Sequence, residues 1–176
     1  MNILKRIGAG LLIIIVIPLI VALFVPKHFL FKKTISINAP IDSVWANVNS
    51  LSALDNWSPW NDLDPNMKKV MSGVDGTIGA MQSWESDIVG SGSQTISRIE
   101  KPQLFETELN FTEPNESNGK AYVKLMPEGA STNATWGMTG TIPYPFNIMN
   151  LFMDMEKNMG KDWDNGLSKL KMLSEK

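Results

Sequence analysis

The sequence has no cysteine, which removes disulfides, thiolate metal sites and cysteine nucleophiles from the chemistry open to it. Its one histidine, His28, lies three residues beyond an apolar N-terminal run. The body of the chain therefore has no imidazole for acid–base work or for zinc. No serine or lysine has an identifiable base beside it, so covalent catalysis lacks its nucleophile–base pair. Low-complexity tracts, fixed-period repeats and cofactor motifs are missing too, and no cofactor is expected. Positive charge is scarce where nucleic acid would need it. Lys5, Arg6, Lys27, Lys32 and Lys33 precede Thr34, beyond which 11 basic residues face all 18 acidic ones. An acidic domain of this kind repels phosphate backbones, so no nucleic-acid partner is expected.

What the sequence does have begins with "IGAGLLIIIVIPLIVALFV", residues 7–25, a run of 19 residues without a charge. As a helix it would reach about 28 Å, close to the hydrocarbon thickness of a bilayer. Pro18 removes one hydrogen bond, which spanning helices tolerate. A cleaved signal peptide would want a shorter apolar core and a small-x-small site, and "VALFVPKHF" offers none. The expectation is a basic tail over 1–6, a transmembrane anchor over 7–25, a linker over 26–32 and one domain over 33–176. The basic tail resembles that of a signal anchor, which places the N-terminus inside and the domain on the extracytoplasmic side.

After the linker, Ile35 and Ile37 alternate with Thr34, Ser36 and Asn38, as in a half-buried strand. Pro40 ends it, and Asp42 or Ser43 can cap a helix carrying Val44, Trp45 and Val48. A short second helix over Leu51 to Asp55 leads into "DNWSPWNDLDP". From Met67 to Gly140 turn-forming clusters separate six expected strands. Phe105, Thr107, Leu109 and Phe111 share one strand face opposite Glu106, Glu108 and Asn110. Ala121, Val123 and Leu125 oppose Tyr122 and Lys124, while Ala134, Trp136 and Met138 group together. One apolar face and one wet face mean an antiparallel sheet covered on a single side. The cover is a helix over Phe146 to Ser174, with Ile148, Phe152, Met155, Met159, Trp163, Leu167 and Leu170 at helical spacing.

These residues carry a resemblance. "ISINAPIDSVWANVNSLSALDNWSPW", "GTIGAMQSWES", "VGSGSQTISRIEKPQLFETELNF" and "MGKDWDNGLSKLK" resemble, in that order, the START-like or SRPBCC superfamily, in its bacterial polyketide cyclase/dehydrase-like branch. The likeness covers most of residues 33 to 173. It implies an α+β helix-grip fold: a curved antiparallel sheet of about seven strands on a long C-terminal helix, with two short helices after the first strand. Function transfers poorly, because the superfamily holds lipid carriers, receptors, chaperone activators and some enzymes.

Three functions stay open. The first is capture of a hydrophobic or amphipathic small molecule or lipid in a cavity under the sheet. The candidate lining is Trp57, Trp60, Phe105, Leu109, Val123, Leu125, Trp136, Met138, Phe152, Met155 and Met159. The Trp57–Trp60 corner reads as a packed corner, with an indole at the cavity mouth as the sharper alternative. The second is an enzyme using a carboxylate or phenol, with Glu85, Asp87 or Tyr122 as proton donors or acceptors. The third is an interaction module with a filled core, though no motif names a protein partner. "DLDPN" gives Asp62, Asp64 and Asn66 the start of a calcium-loop spacing, but Met67 and Gly73 stand where the loop needs glycine and glutamate. No metal site is expected.

Overall fold

The computed structural model describes residues 14–152 and 154–176. Two compact units are present: the described residues up to Phe29 with Thr141–Asp154, and Leu30–Gly140 with Met155–Lys176. In the first, the chain is helical over 14–22 and closes with short-range bonds from Leu23 N–H to Ile20 O and from Phe24 N–H to Val21 O. A 3-10 helix, Phe146–Leu151, supplies Asn147. The buried Asn147 amide donates to the Ala22 and Val25 carbonyls, 2.7 Å each, satisfying acceptors that a helix end leaves open.

The expected single-pass anchor over 7–25 is not supported. Residues 7–13 lie outside the described residues, and among the described residues no helix is long and apolar enough to cross a membrane. The helical part over 14–22 gives about 14 Å, roughly half the hydrocarbon thickness. The extracytoplasmic placement of the domain rested on that span and falls with it.

The second unit carries most of a seven-stranded antiparallel sheet. Its strands are β1 (His28–Ile37), β2 (Lys68–Ser72), β3 (Met81–Glu85), β4 (Ser91–Glu100), β5 (Leu104–Glu113), β6 (Ser117–Glu128) and β7 (Ser131–Thr141). Spatial order is β1-β7-β6-β5-β4-β3-β2, a meander whose first strand returns to pair beside the last. Between β1 and β2 lie α1 (Ile41–Trp45), α2 (Leu51–Asp55) and α3 (Trp60–Leu63). Helix α1 has Pro40 at its N-cap position, two residues before the earlier of the two expected caps, so Asp42 sits in its first turn and does not cap it. Helix α4 (Met155–Ser174) closes the unit, with Trp163, Gly166, Leu167 and Leu170 buried at spacings of three and four.

The fold is therefore α+β helix-grip, with one correction to the cover. The single helix expected over Phe146 to Ser174 is two elements, because apolar spacings of three and four suit a 3-10 turn as well as an α-helix. Asp154, immediately before Met155, marks the true start. Lys33 on β1 pairs with Glu156 in the first turn of α4 and with Asp164 midway along it, both at 2.7 Å.

Candidate functional site

The alternation read from β5, β6 and β7 sends Phe105, Val123 and Trp136 inward, where each is 8 % exposed or less. Beneath them lies a cavity of about 410 Å³, contained in the second unit. That volume falls within the ~300–1,000 Å³ of ordinary small-molecule sites. Met159 and Trp163 of α4 form the opposite wall, and the α2–α3 corner supplies Trp57 and Trp60.

Indoles dominate one end. Trp136 and Trp163 stack with ring centroids 4.2 Å apart and planes 18° from parallel. Trp57 meets Trp136 edge-on at 5.0 Å, and Trp60 meets Trp163 edge-on at 5.9 Å. These offset and edge arrangements are the favourable ones for rings with a negative face and positive rim. Gly166 permits the approach, since a Cβ there would lie 2.9 Å from Trp136 Cζ3. Trp57 is tied down by its Nε1, which donates to the Asn47 carbonyl at 2.9 Å. Trp163 is buried as well, and its Nε1 has no hydrogen-bond partner among the described residues.

The other end is polar. Asp55, at the end of α2, accepts from Lys69 Nζ at 2.6 Å and from Gln82 Nε2 at 2.7 Å. Gln82 Oε1 accepts from Gln94 Nε2 at 3.1 Å, and Lys69 also donates to Asn61 Oδ1 at 2.5 Å. Asp55, Lys69, Gln82 and Gln94 all line the cavity. The arrangement can hold a molecule that is largely apolar with one polar end.

Residues 28–175 match the family described as polyketide cyclase/dehydrase and lipid transport. The chain belongs to that family. No curated protein matches the sequence. Among solved structures, protein CV1439 from Chromobacterium violaceum aligns with a TM-score of 0.59 at 14% identity, over 84% of this chain and 97% of its own. A protein from Thermobifida fusca gives 0.61 at 16%, over 82% and 92%. Truncated norcoclaurine synthase from Thalictrum flavum gives 0.58 at 13%, over 81% and 92%. At these identities the likenesses establish the helix-grip fold and nothing further.

In this polyketide cyclase/dehydrase-type chain, the cavity gathers Trp57, Trp60, Phe105, Leu109, Val123, Trp136, Met138 and Met159 from the sequence-derived lining. Leu125 is not at the cavity but in the solid core, 1 % exposed and paired across the sheet with Ala134. Met155 packs against that core and does not line the cavity. Phe152, expected on the inward stripe, is 81 % exposed, because the helix to which the stripe was assigned starts after it.

Of the three proton-transfer candidates, Glu85 and Asp87 are placed away from the cavity, whereas Tyr122 is among the residues that line it. Strand pleating puts Gln82 and Trp84 on the cavity side of β3 and Glu85 on the other, and both Glu85 and Asp87 are exposed beside an outer groove. Tyr122 alternates with inward Ala121 and Val123, and its ring covers Gly137, its cross-strand partner on β7. Burial there holds its phenol above the ordinary value. Asp62 pairs with Lys169, and Asp64 accepts from the Asn66 backbone N–H at 2.9 Å and the Ser86 hydroxyl at 2.5 Å.

Sequence reasoning missed the polar end altogether. Gln94 shares strand parity with Ile96, and Gln82 with Trp84, so each is a polar residue on an apolar face. That mismatch was the available signal.

Proposed function

We propose that this protein binds a hydrophobic or amphipathic small molecule or lipid in the cavity between sheet and α4. The observation that carries the reading is the void itself. A closed interior of native packing density leaves few spaces larger than a water molecule, whereas this one has about 410 Å³ lined by indoles, Phe105, Leu109 and Met159. The pliable thioethers of Met138 and Met159 suit an adaptable apolar wall. A filled-core interaction module has no use for such a space. The inward carboxylate, Asp55, already holds a lysine and an amide, so it favours an orienting role over proton transfer.

The test is binding of a neutral, environment-sensitive dye such as Nile red to the purified full-length chain. Saturable emission is expected, and it should disappear on narrowing the void by Val123→Trp with circular dichroism unchanged. Absence of saturable binding by the unaltered protein would overturn the reading.

A further inference from the structure

The polar end of the cavity has a direction. An ionised carboxylate only accepts, so Gln82 must turn its NH2 toward Asp55, and its Oε1 therefore faces Gln94. Gln94 must in turn present its own NH2 to that oxygen. The chain ends in the Gln94 carbonyl oxygen, which accepts no hydrogen bond among the described residues. On the neighbouring strand Thr107 also lines the cavity, is 1 % exposed, and makes no side-chain hydrogen bond among the described residues. Gln94 pairs with Leu109, two residues from Thr107, so the two inward side chains are diagonal neighbours. Such positions lie roughly 7–8 Å apart, within reach of one shared polar atom. One offers a bare acceptor and the other a hydroxyl.

Charge sets the remaining condition. Among the described residues Lys69 is the one cation on the cavity wall, and Asp55 neutralises it at 2.6 Å. An anionic head would meet the Gln94 carbonyl oxygen and no free positive charge. A cationic head would share the space with Lys69. Burying either ion unpaired is costly, whereas a hydroxyl can donate to Gln94 and accept from Thr107. Size is compatible with a compact or single-chain molecule, since a void of about 410 Å³ lies within the ~300–1,000 Å³ of ordinary small-molecule sites.

We propose that the cavity selects a compact or single-chain amphiphile with an uncharged hydroxyl head, held between Gln94 Oε1 and Thr107 Oγ1. This rests on the binding function proposed above. The experiment is displacement of Nile red from the full-length protein by 1-dodecanol, dodecanoate and dodecylammonium, which share one chain length and differ in head charge. Dodecanol is expected to compete at a concentration at least about ten-fold below either ion. Thr107→Val, which keeps the shape, is expected to weaken dodecanol about five-fold and leave the ions unaffected. Asp55→Asn frees the charge of Lys69 and is expected to shift the dodecanoate-to-dodecanol ratio toward dodecanoate by about ten-fold or more. If the dye binds and the three compete equally, an ion competes best, or none competes, the head-group proposal is overturned while the cavity reading stands. If the dye itself does not bind, both fall. If Asp55→Asn does not fold, the wild-type ranking and Thr107→Val decide alone.

Discussion

Gln82 and Gln94 stand directly opposite each other on β3 and β4, and their side chains join at 3.1 Å on the cavity side of the sheet. Through Gln82 that pair is hydrogen-bonded to the Asp55–Lys69 ion pair. A residue at 5 % exposure thus connects a neutral amide to a charge.

Gln82→Leu should therefore cost more than a surface polar change. It leaves one Asp55 oxygen and the Gln94 amide without their partner, and the expected loss is about 1–3 kcal/mol. Urea unfolding followed by circular dichroism measures it. A variant within about 0.5 kcal/mol of wild type would mean that water replaces Gln82 freely.

Gly166→Ala tests the packing of α4 against the indole stack. The added methyl would lie 2.9 Å from Trp136 Cζ3 and 3.2 Å from Pro59 Cδ, so helix or ring must shift. Overpacking of this kind costs about 1–3 kcal/mol, more than the helix propensity gained from alanine. The near-ultraviolet circular dichroism of the Trp136–Trp163 pair should change with it.

Asp75 gives the fold an acid-sensitive tie. Burial pushes its carboxyl up, but the Ser52 hydroxyl and the N–H groups of Ser52, Leu51 and Gly76 outweigh that and hold it below the ordinary value. A lowered folded-state value stabilises above the unfolded value, near 4, and that contribution is lost as pH falls through the folded one. Asp75→Asn should accordingly flatten the stability-versus-pH curve below about pH 4 and lower stability at pH 7. Parallel curves for the two proteins would count against the tie.

Tyr122 should act at the opposite end of the pH scale. Its phenol is held above the ordinary value by burial, so the unfolded chain ionises first and stability falls as pH rises beyond about 10. Gly137→Ala would thrust a methyl into the Tyr122 ring, displace it toward solvent and bring its spectrophotometric titration back toward the ordinary value. An unchanged titration would show that the ring does not depend on Gly137.

The strands were legible because β5, β6 and β7 alternate cleanly: Phe105 and Thr107 are buried while Glu108 is exposed, and Val123 and Leu125 are buried while Lys124 is exposed. Period-two patterning fixes the face of every residue once one is known. The helical cover was less legible, since Ile148 and Phe152 continue the spacing of α4 yet belong before its start. The N-terminal run misled because length and apolarity alone make a span on paper. The polar end of the cavity was illegible for another reason. Asp55, Lys69, Gln82 and Gln94 come from four separate elements, and only the register of β3 on β4 brings the two glutamines together.

Five of the six tryptophans, all but Trp45, line the cavity between sheet and α4. Trp136 and Trp163, stacked at 4.2 Å, are among them, so the ultraviolet emission of these rings should respond to what fills that space. The chain is in effect its own unlabelled sensor. Changes in emission wavelength and lifetime should report occupancy even for a ligand with no chromophore.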